Sequence, residues 1–593
     1  MRKILLWAFL LQLLVVFAGC SFEKTEDDWV RELSDRRTRD GAMLYVQEHK
    51  TQKAVPVLLR LMEKRYGTIP AIYSLGIIGD PVAVPRLVGE LKKVASKDSM
   101  DHDRMTEQIC MSLGMIGDKA AVEALLWAAG KAGEMGRAGA VQALGMIGDL
   151  RAEPKLIQLV EKESEKLLIR HYATIALGEI KAEKAGDTLA YALFVDDETG
   201  RNLFRDAQLS MIQIANQNVI DALIKLYDLK NEKANKLAEK IKLKPEWIQI
   251  KAINVMGQMR DKRLVPKMLE EFNKGLKDKI VYELFAKVIQ SMGVAAQPET
   301  EEALVKSFLN RPRSTEYLNE KEIIANALIS IGSSKHLDEI MKVAAKGDLR
   351  LKNARGKMQE FSQYCLAAAN VVSILGDGSY VEGFDKFLAK GKCKAKIYGM
   401  KQKTPELLKD FSMRLKASKD CGTDNACWVK KLTAKHWAER EKALYVLAET
   451  GDTKKYDKAV LATMDFPNER VREAIVYYAW KMVSKDMIPH YYMMWQAQKL
   501  NKEFQKATEN LGYVLAIHLR DMKLANKEGE KWIAEQVDHI KIFKKDKKAK
   551  ATAVKDAAAA KDAAAAKDAA VAKDAAAAKD AVAPKAEGEK KAE

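Results

Sequence analysis

Two cysteines set six residues apart are the pair in this chain best placed for covalent chemistry. Cys421 and Cys427 lie in the stretch KDCGTDNACWVKKL. Asp424 is a typical helix N-cap residue, which puts Cys427 in the first turn of a helix and Cys421 on the loop before it. We therefore predict a disulfide between them, with Cys393 as the alternative partner of either. A second interpretation makes Cys427 a reactive thiolate, because a helix N-terminus lowers the pKa of a thiol.

The remaining sequence gives little sign of catalysis. Cys110 and Cys365 stand in apolar helical patterns, so we expect small core residues there. The chain contains no H-E-x-x-H, Walker, G-x-S-x-G or C-x-x-C motif, and its eight histidines are scattered. The stretch DSMDHD (98–103) is predicted to be a polar inter-helix loop rather than a cation site. These patterns favour a non-catalytic protein that uses no cofactor and no metal.

The N-terminus predicts export and lipidation. Arg2 and Lys3 precede an apolar run, Ile4 to Val16, which is too short for a membrane span and suits a secretory signal. The run ends in Phe17-Ala18-Gly19-Cys20, which resembles the bacterial lipobox with phenylalanine in place of the usual leucine. The resemblance implies cleavage before Cys20 and acylation of that cysteine, which would anchor the chain to a membrane. The alternative is an ordinary signal peptide followed by a chance cysteine.

A short phrase recurs near the start of the chain. SLGIIGDPVAVPRLVGEL begins at Ser74, SLGMIGDKAAVEALLWAA at Ser112 and ALGMIGDLRAEPKLIQLV at Ala143. In the first copy Gly79 is placed to end a helix in a left-handed conformation, and Asp80 is placed to cap the next helix. The pair recurs at Gly117, Asp118, Gly148 and Asp149, with weaker versions near Lys50, Lys181, Ala215, Arg260, Gly293, Gly332, Gly376 and Gly451. One helical hairpin cannot bury both its apolar faces, whereas stacked copies can, so the pattern predicts a repeat array.

The motif Leu75-Gly76-x-x-Gly79-Asp80 and its copies resemble the HEAT repeat superfamily, and most closely its phycobilisome-lyase-like bacterial subtype. The resemblance implies an all-α fold, a right-handed α-solenoid of about eleven or twelve HEAT-like helical hairpins. In this subtype the second helix of each hairpin lines the concave face. The name of the subtype carries little functional weight, because the repeat is structural and its functions vary.

Composition divides the chain into five segments. We predict a lipoprotein signal peptide over 1–19, a tether over 20–28, the HEAT-like solenoid over 29–485, a helical cap with a basic linker over 486–550, and a low-complexity Ala/Lys/Asp tail over 551–593. The tail repeats KDAAAA, so it is predicted to be a solvated helical spacer or a partly disordered segment. Its lysines are balanced by acidic residues, which argues against polyanion binding by the tail.

The net charge of +18 therefore belongs to the rest of the chain. Four lysines alternate along one stretch: Lys390, Lys392, Lys394 and Lys396. Such a cluster suits an anionic partner, either lipid headgroups or an acidic protein, although solvated loops are the commoner explanation of clustered lysines. Nucleic acid is not an expected partner, because export separates the protein from it.

These observations favour a lipid-anchored scaffold in the bacterial cell envelope. Ser21, rather than aspartate, follows Cys20, which implies the outer membrane under the familiar Gram-negative sorting rule. The expected partner is an unidentified protein or envelope polymer, bound through the surface of the solenoid. Two alternatives stay open: a mechanical or peptidoglycan-associated spacer, and a lyase-like enzyme.

Replacing the lipobox cysteine tests the predicted anchor. Cys20→Ser is expected to leave unprocessed precursor or to release the protein from membranes, because serine offers no thiol for the lipid. The measurements are electrophoretic migration and membrane fractionation. A variant that migrates and fractionates like the parent chain would contradict the lipobox.

Overall fold

Helices make up nearly all of the described secondary structure, in keeping with a sequence rich in alanine, leucine and methionine. The structure is a computed structural model, and it describes residues 24–63, 68–97, 99–196, 202–310, 317–352, 356–395, 403–452, 455–482, 484–498, 511–512 and 514–515. The predicted signal peptide, Cys20, the basic linker and the tail lie outside these ranges. The described residues form 28 α-helices and one two-stranded sheet, arranged as an all-α solenoid.

The helices follow one another in pairs joined by short turns. The N-terminal half contains α1 (Glu26–Glu32), α2 (Arg39–Glu48), α3 (Val55–Leu61), α4 (Thr68–Ile78), α5 (Val84–Val94), α6 (Met100–Ile116), α7 (Val122–Lys131), α8 (Glu134–Ile147), α9 (Glu153–Glu161), α10 (Leu167–Glu179), α11 (Gly186–Ala192), α12 (Phe204–Ile214), α13 (Gln217–Tyr227) and α14 (Glu232–Lys240). The first helix thus begins inside the segment predicted to be the tether.

The second half continues the same pattern. It contains α15 (Pro245–Met259), α16 (Val265–Leu276), α17 (Tyr282–Ala295), α18 (Pro298–Asn310), α19 (Leu318–Ile331), α20 (Leu337–Ala345), α21 (Gln363–Leu375), α22 (Tyr380–Ala389), α23 (Thr404–Cys421), α24 (Asn425–Lys431), α25 (Trp437–Ala448), α26 (Asp457–Leu461), α27 (Glu469–Lys481) and α28 (Ile488–Gln498). Helix α1 precedes the first pair and α14 stands between two pairs. None of the helices in the described part of the chain is both long and apolar enough to cross a membrane.

The turn inside each hairpin is built by the last two residues of the repeated motif. Gly79, Gly117 and Gly148 adopt the left-handed conformation, with φ of 77°, 79° and 74°. The aspartate that follows each glycine accepts a hydrogen bond from the backbone N–H two residues later, at 2.9 Å in all three copies. The aspartate thereby caps one 3-10 turn, which leads into the second helix. The same left-handed turn is made without glycine at Lys50, Lys181, Ala215, Arg260 and Ala296.

The other glycine of the motif lets successive first helices touch through their backbones. A Cβ atom on Gly76 would lie 2.9 Å from Ser112 Cα, which is closer than real Cβ contacts come. The same close approach to a small residue of the next hairpin recurs in five more pairs: Gly114 with Ala143, Gly145 with Ala176, Gly178 with Ser210, Gly257 with Ser291, and Gly293 with Ala327. The turn predicted near Gly293 lies at Ala296, while Gly293 itself lies within α17 and serves packing.

Arginines tie neighbouring turns together. Arg151 donates two hydrogen bonds to its own cap residue, Asp149, and a third to the carbonyl oxygen of Lys119 in the preceding turn, at 3.0 Å. These bonds from Arg151 lower the pKa of the Asp149 carboxyl. Arg263 does the same later in the chain, with Asp261 as its cap residue and the Ala215 carbonyl at 2.7 Å. The sequence D-x-R thus links one turn to the next.

In the C-terminal part of the array, buried cations replace these surface links. The Lys442 ammonium, in α25, donates to the carbonyl oxygens of Ile374 and Gly376 at 2.5 and 2.6 Å, at the end of α21. Burial and the nearby Arg414 lower the pKa of Lys442 to about 7. Arg414 is itself fully buried and is paired with Glu441 at 2.6 Å. Gly376, predicted to be left-handed, is extended here (φ −74°).

Helix α27 contacts turns far back in the chain. The Arg260 guanidinium lies over the Trp480 ring, 4.3 Å from its centroid. A Cβ atom on Gly332 would lie 1.6 Å from the Tyr477 hydroxyl oxygen, so only glycine fits there. Lys481 donates to the Ile331 carbonyl at 3.4 Å. These contacts join hairpins that are not neighbours in sequence.

Two glycines of the second described hairpin provide a matched test of the turn. A Cβ atom on Gly79 or on Gly89 would meet no atom within 4 Å, so the two sites differ in backbone conformation alone. Gly79→Ala is expected to destabilise by about 1 kcal/mol, because alanine resists the left-handed conformation. Gly89→Ala, inside α5, is expected to stabilise by about 0.5 kcal/mol.

The readouts are thermal unfolding of the full chain and hydrogen exchange in α4 and α5. The local measurement is needed because long repeat arrays do not always unfold in a single step. Shifts of the same sign in the two variants would contradict the turn assignment.

Candidate functional site

A β-hairpin interrupts the helical array between α20 and α21. Its strands, β1 (Leu349–Lys352) and β2 (Met358–Phe361), pair antiparallel, with Leu349 opposite Phe361. Arg350 donates to Glu360 across the pair at 2.9 Å. The sequence analysis found no strand here, because each strand is only four residues long and no turn motif marks the hairpin.

The hairpin begins at a carboxylate that holds the predicted lysine cluster. We call residues Lys390–Ala395, which follow α22, the lysine loop. Asp348 receives hydrogen bonds from the backbone N–H groups of Lys394 and Ala395, at 3.1 and 3.0 Å. Its own N–H donates to the Lys392 carbonyl at 2.7 Å. Because these bonds involve backbone groups, they fix the path of the loop and leave the lysine side chains free.

A disulfide holds the same loop from the other side. Cys393, in the middle of the lysine loop, is bonded to Cys365 in the first turn of α21. Both residues are buried. Cys365 is a core residue, as predicted, but its bond to Cys393 was not foreseen, and the alternative that pairs Cys393 with Cys421 or Cys427 is wrong. Sequence spacing gave no signal for this pair, because the two cysteines are 28 residues apart and meet only through the stacking of hairpins.

The three described lysines of the loop point into solvent. Lys390, Lys392 and Lys394 are exposed, and none of them forms an ion pair with a described residue. Lys396 lies outside the described residues. The nearby Lys386 and Lys416 differ, because each is paired with an acidic side chain of α22. The lysine loop therefore presents three uncompensated positive charges on a fixed backbone.

A small cavity of about 170 Å³ lies beside the loop. Its walls are apolar side chains of α22 and α23, and Lys394 and Lys409 stand at its edge; the other lining residues are Phe387, Leu388, Gly391, Cys393, Pro405 and Leu408. Pockets for small molecules usually measure about 300–1,000 Å³. This cavity is therefore suited to a single side chain of a partner rather than to a cofactor.

One group of potential metal ligands falls at the same place. A carboxylate oxygen of Asp348 and the sulfurs of Cys365 and Cys393 lie within 4.8 Å of one another. The sulfurs are joined to each other, so neither is a thiolate, and the carboxylate is engaged by backbone N–H groups. A disulfide and a capping carboxylate explain this cluster without a metal ion.

The predicted pair Cys421 and Cys427 is also joined in the structure. Asp424 caps α24, which contains Cys427, by accepting a hydrogen bond from the Ala426 N–H at 2.8 Å. The Trp428 indole donates to the Gly422 carbonyl at 2.9 Å and closes the loop. Bonded in this way, Cys427 is not a free thiolate. Cys110 is the free cysteine of the described chain; it is buried, and burial raises the pKa of its thiol.

The acidic stretch near residue 100 is helical rather than a loop. Residues 101–103 lie in the first turn of α6, while Asp98 lies outside the described residues. Asp103 receives the N–H groups of Met135 and Gly136 at 3.0 and 2.8 Å, so it caps α8 of the following hairpin. Sequence reasoning missed this role, because the capped helix begins about thirty residues away from the carboxylate.

A match to a known family agrees with the repeats seen in the structure. Residues 91–170 match the HEAT repeats family. No curated protein matches the chain. Among solved structures, human deoxyhypusine hydroxylase in complex with glycerol is 16% identical with a TM-score of 0.20, over 48% of this chain and 98% of that one. Importin beta in an ammonium sulfate condition is 12% identical with a TM-score of 0.31, over 86% of this chain and 74% of that one. At such low scores the likeness carries no functional argument, and it is the HEAT match that describes the repeats.

Removing the charge on Asp348 tests whether this residue holds the lysine loop. The Asp348 carboxylate accepts through both oxygens, from the two backbone N–H groups and from the Ser362 hydroxyl, whereas an asparagine amide has one oxygen and an NH2 donor. In Asp348→Asn at least one of these bonds is lost and the others lose the assistance of the charge, which costs about 1–3 kcal/mol. We expect hydrogen exchange at the Lys394 and Ala395 amides to accelerate about tenfold or more. Glu360→Gln is the control, because Glu360 accepts from the Arg350 side chain instead of holding the loop. Equal exchange rates in wild type and Asp348→Asn would show that another contact fixes the loop.

Proposed function

We propose that this chain is a lipid-anchored, non-catalytic scaffold of the bacterial cell envelope, which binds a protein or an envelope polymer through its solenoid surface. The architecture itself supports a role in protein interaction. A stack of helical hairpins provides an extended surface and little else that is common to such folds. The HEAT match over residues 91–170 and the all-α solenoid agree with this role.

The observation that carries the proposal is the lysine loop. Lys390, Lys392 and Lys394 are exposed and unpaired, yet their backbone is held by Asp348 and by a disulfide. A fixed array of like charges loses little backbone entropy when it binds, and it attracts an anionic partner over a distance. The adjoining apolar cavity offers a place for one buried side chain of that partner.

The two disulfides support the proposed location outside the cytoplasm. Structural disulfides persist in exported proteins, whereas cytosolic thiols are usually kept reduced. The pairs Cys365–Cys393 and Cys421–Cys427 therefore fit the secretion signal and lipobox-like sequence that precede them. An outer-membrane site follows from Ser21 under the sorting rule given above.

Charge reversal at the lysine loop tests the binding surface. The triple variant Lys390→Glu, Lys392→Glu and Lys394→Glu is expected to lose most of the partner captured by the wild-type chain from solubilised envelopes at low salt. The difference in captured partner between the wild-type chain and the triple variant should become smaller at about 0.15 M salt, because exposed charges are then screened over about 8 Å. The matched control reverses three exposed, unpaired lysines of the N-terminal hairpins: Lys92, Lys97 and Lys131.

Two outcomes would redirect the proposal. Equal loss in the experimental and control triples would mean that net charge, rather than this loop, governs capture. Loss of capture on deleting residues 555–593, with the loop variant unaffected, would favour the spacer alternative, in which the alanine-rich tail makes the contact.

A further inference from the structure

The N-terminal end of the array is held close to any membrane in which Cys20 is anchored; this inference rests on the lipidation proposed above. Helix α1 begins at Glu26, and its N-cap residue Thr25 is fixed by a capping box with Asp28. Only four residues lie between Cys20 and Thr25, which makes five Cα–Cα steps. A fully extended chain spans at most about 3.6 Å per residue, so this segment reaches no further than about 18 Å.

Helix α1 is packed against the first hairpin and does not act as part of the tether. Lys53, in the turn before α3, pairs with Asp27 and Glu26 at 3.0 and 3.2 Å. The Trp29 ring stacks on Tyr45 of α2, with 4.8 Å between ring centroids. Leu33, at the end of α1, is fully buried. The short segment from Cys20 to Thr25 therefore keeps the first hairpin, as well as α1, close to the lipid anchor.

The side chains at this end suit the interfacial region of a bilayer. Trp29, Tyr45 and His49 form one stack, with Tyr45 between the other two, and all three rings retain some exposure. Next to Tyr45, Leu44 is 68% exposed. Tyr73 is also exposed, on the helix α4 that packs beside α2. Tryptophan and tyrosine favour the level of the lipid headgroups, and leucine favours the apolar region below.

Charge does not explain an attachment at this end. Residues 24–78, from α1 to α4, contain ten Lys and Arg side chains and eight Asp and Glu side chains. Their net charge is only +2, so attraction to anionic lipids contributes little. The lysine loop, by contrast, has three uncompensated charges within five residues. Contact at the N-terminal end should therefore depend on salt much less than binding at the lysine loop does.

We propose that the end of the array formed by α1, α2 and α4 lies on the bilayer that holds the acylated Cys20. Leu44 then lies among the lipid tails, and Tyr73 lies at the level of the headgroups. The surface is a docking site for membrane lipid. The acylated Cys20 of the same chain holds that membrane within reach. The scaffold is thereby seated on the membrane by its first hairpins, and its later hairpins remain available to a partner.

Photo-crosslinking of the full-length lipidated protein tests this seat. The protein is reconstituted in vesicles of phosphatidylethanolamine and phosphatidylglycerol, with p-benzoylphenylalanine in place of Leu44 or, in a second variant, of Tyr73. After irradiation we expect a phospholipid adduct by mass spectrometry at either position, with a yield that changes little between low and moderate salt. The control replaces Met358, an apolar residue of the β-hairpin that is similarly exposed (62%), and should give at least tenfold less adduct.

The outcomes separate this inference from the proposed function. One contrary outcome is protein that is acylated, as its mass shows, and floats with the vesicles, but gives no adduct at Leu44 or Tyr73. That outcome would refute the contact between the first hairpins and the membrane, and it would leave the lipid anchor intact. Equal labelling at Met358, or an adduct with a second copy of the chain, would also refute this contact. Protein that lacks lipid and does not float would refute the anchor itself, and the seat with it.

Discussion

The array depends on how closely its first helices approach one another. At Gly76 and at its equivalents, the backbone of one helix rests against a serine or alanine of the next, at a distance that leaves no space for a Cβ atom. Such contacts set the spacing between hairpins, and this spacing brings neighbouring turns within reach of one another. Arg151 is then able to reach the carbonyl of the turn before it, and Asp103 the first N–H groups of the hairpin after it. Hydrogen bonds between hairpins therefore follow from backbone packing.

Sequence reasoning succeeded where a single copy of the motif contains everything needed for its role. Gly79 and Asp80 shape a turn from their own conformational and hydrogen-bonding preferences, so both could be assigned without knowing what surrounds them. Near Gly293 the same logic located the turn only approximately. Met292-Gly293-x-x-Ala296 aligns with Leu75-Gly76-x-x-Gly79, so Gly293 takes the packing role of Gly76, against Ala327 of the following hairpin, and Ala296 makes the turn. The turn was misplaced because its residue is alanine, which carries no local sign of a left-handed conformation.

The candidate site shows the same division. Charge and spacing indicated the lysines, since these properties are visible in a short stretch. What holds the lysines was not predicted, because Asp348 and Cys365 reach the loop from the start of a β-hairpin and from another helix. The pair Cys421–Cys427 was within reach of sequence reasoning, because the short loop capped by Asp424 joins the end of α23 to the start of α24 and brings the two residues together. Local geometry is readable from sequence, whereas meetings between distant segments require the fold.

The contacts of α27 with distant turns have a consequence for how such a chain can change in evolution. Repeat arrays lengthen and shorten by duplication and loss of whole units, which is harmless when each unit touches only its neighbours. Between Arg260 and Trp480 this freedom is lost, because a hairpin added or deleted there would carry Trp480 away from Arg260, and a change after Gly332 would also carry Tyr477 away from that glycine. The number of units in that interval is therefore fixed by fit. The near-identical copies around Gly79, Gly117 and Gly148 lie outside that interval, and it is there that the family of such proteins should vary in length.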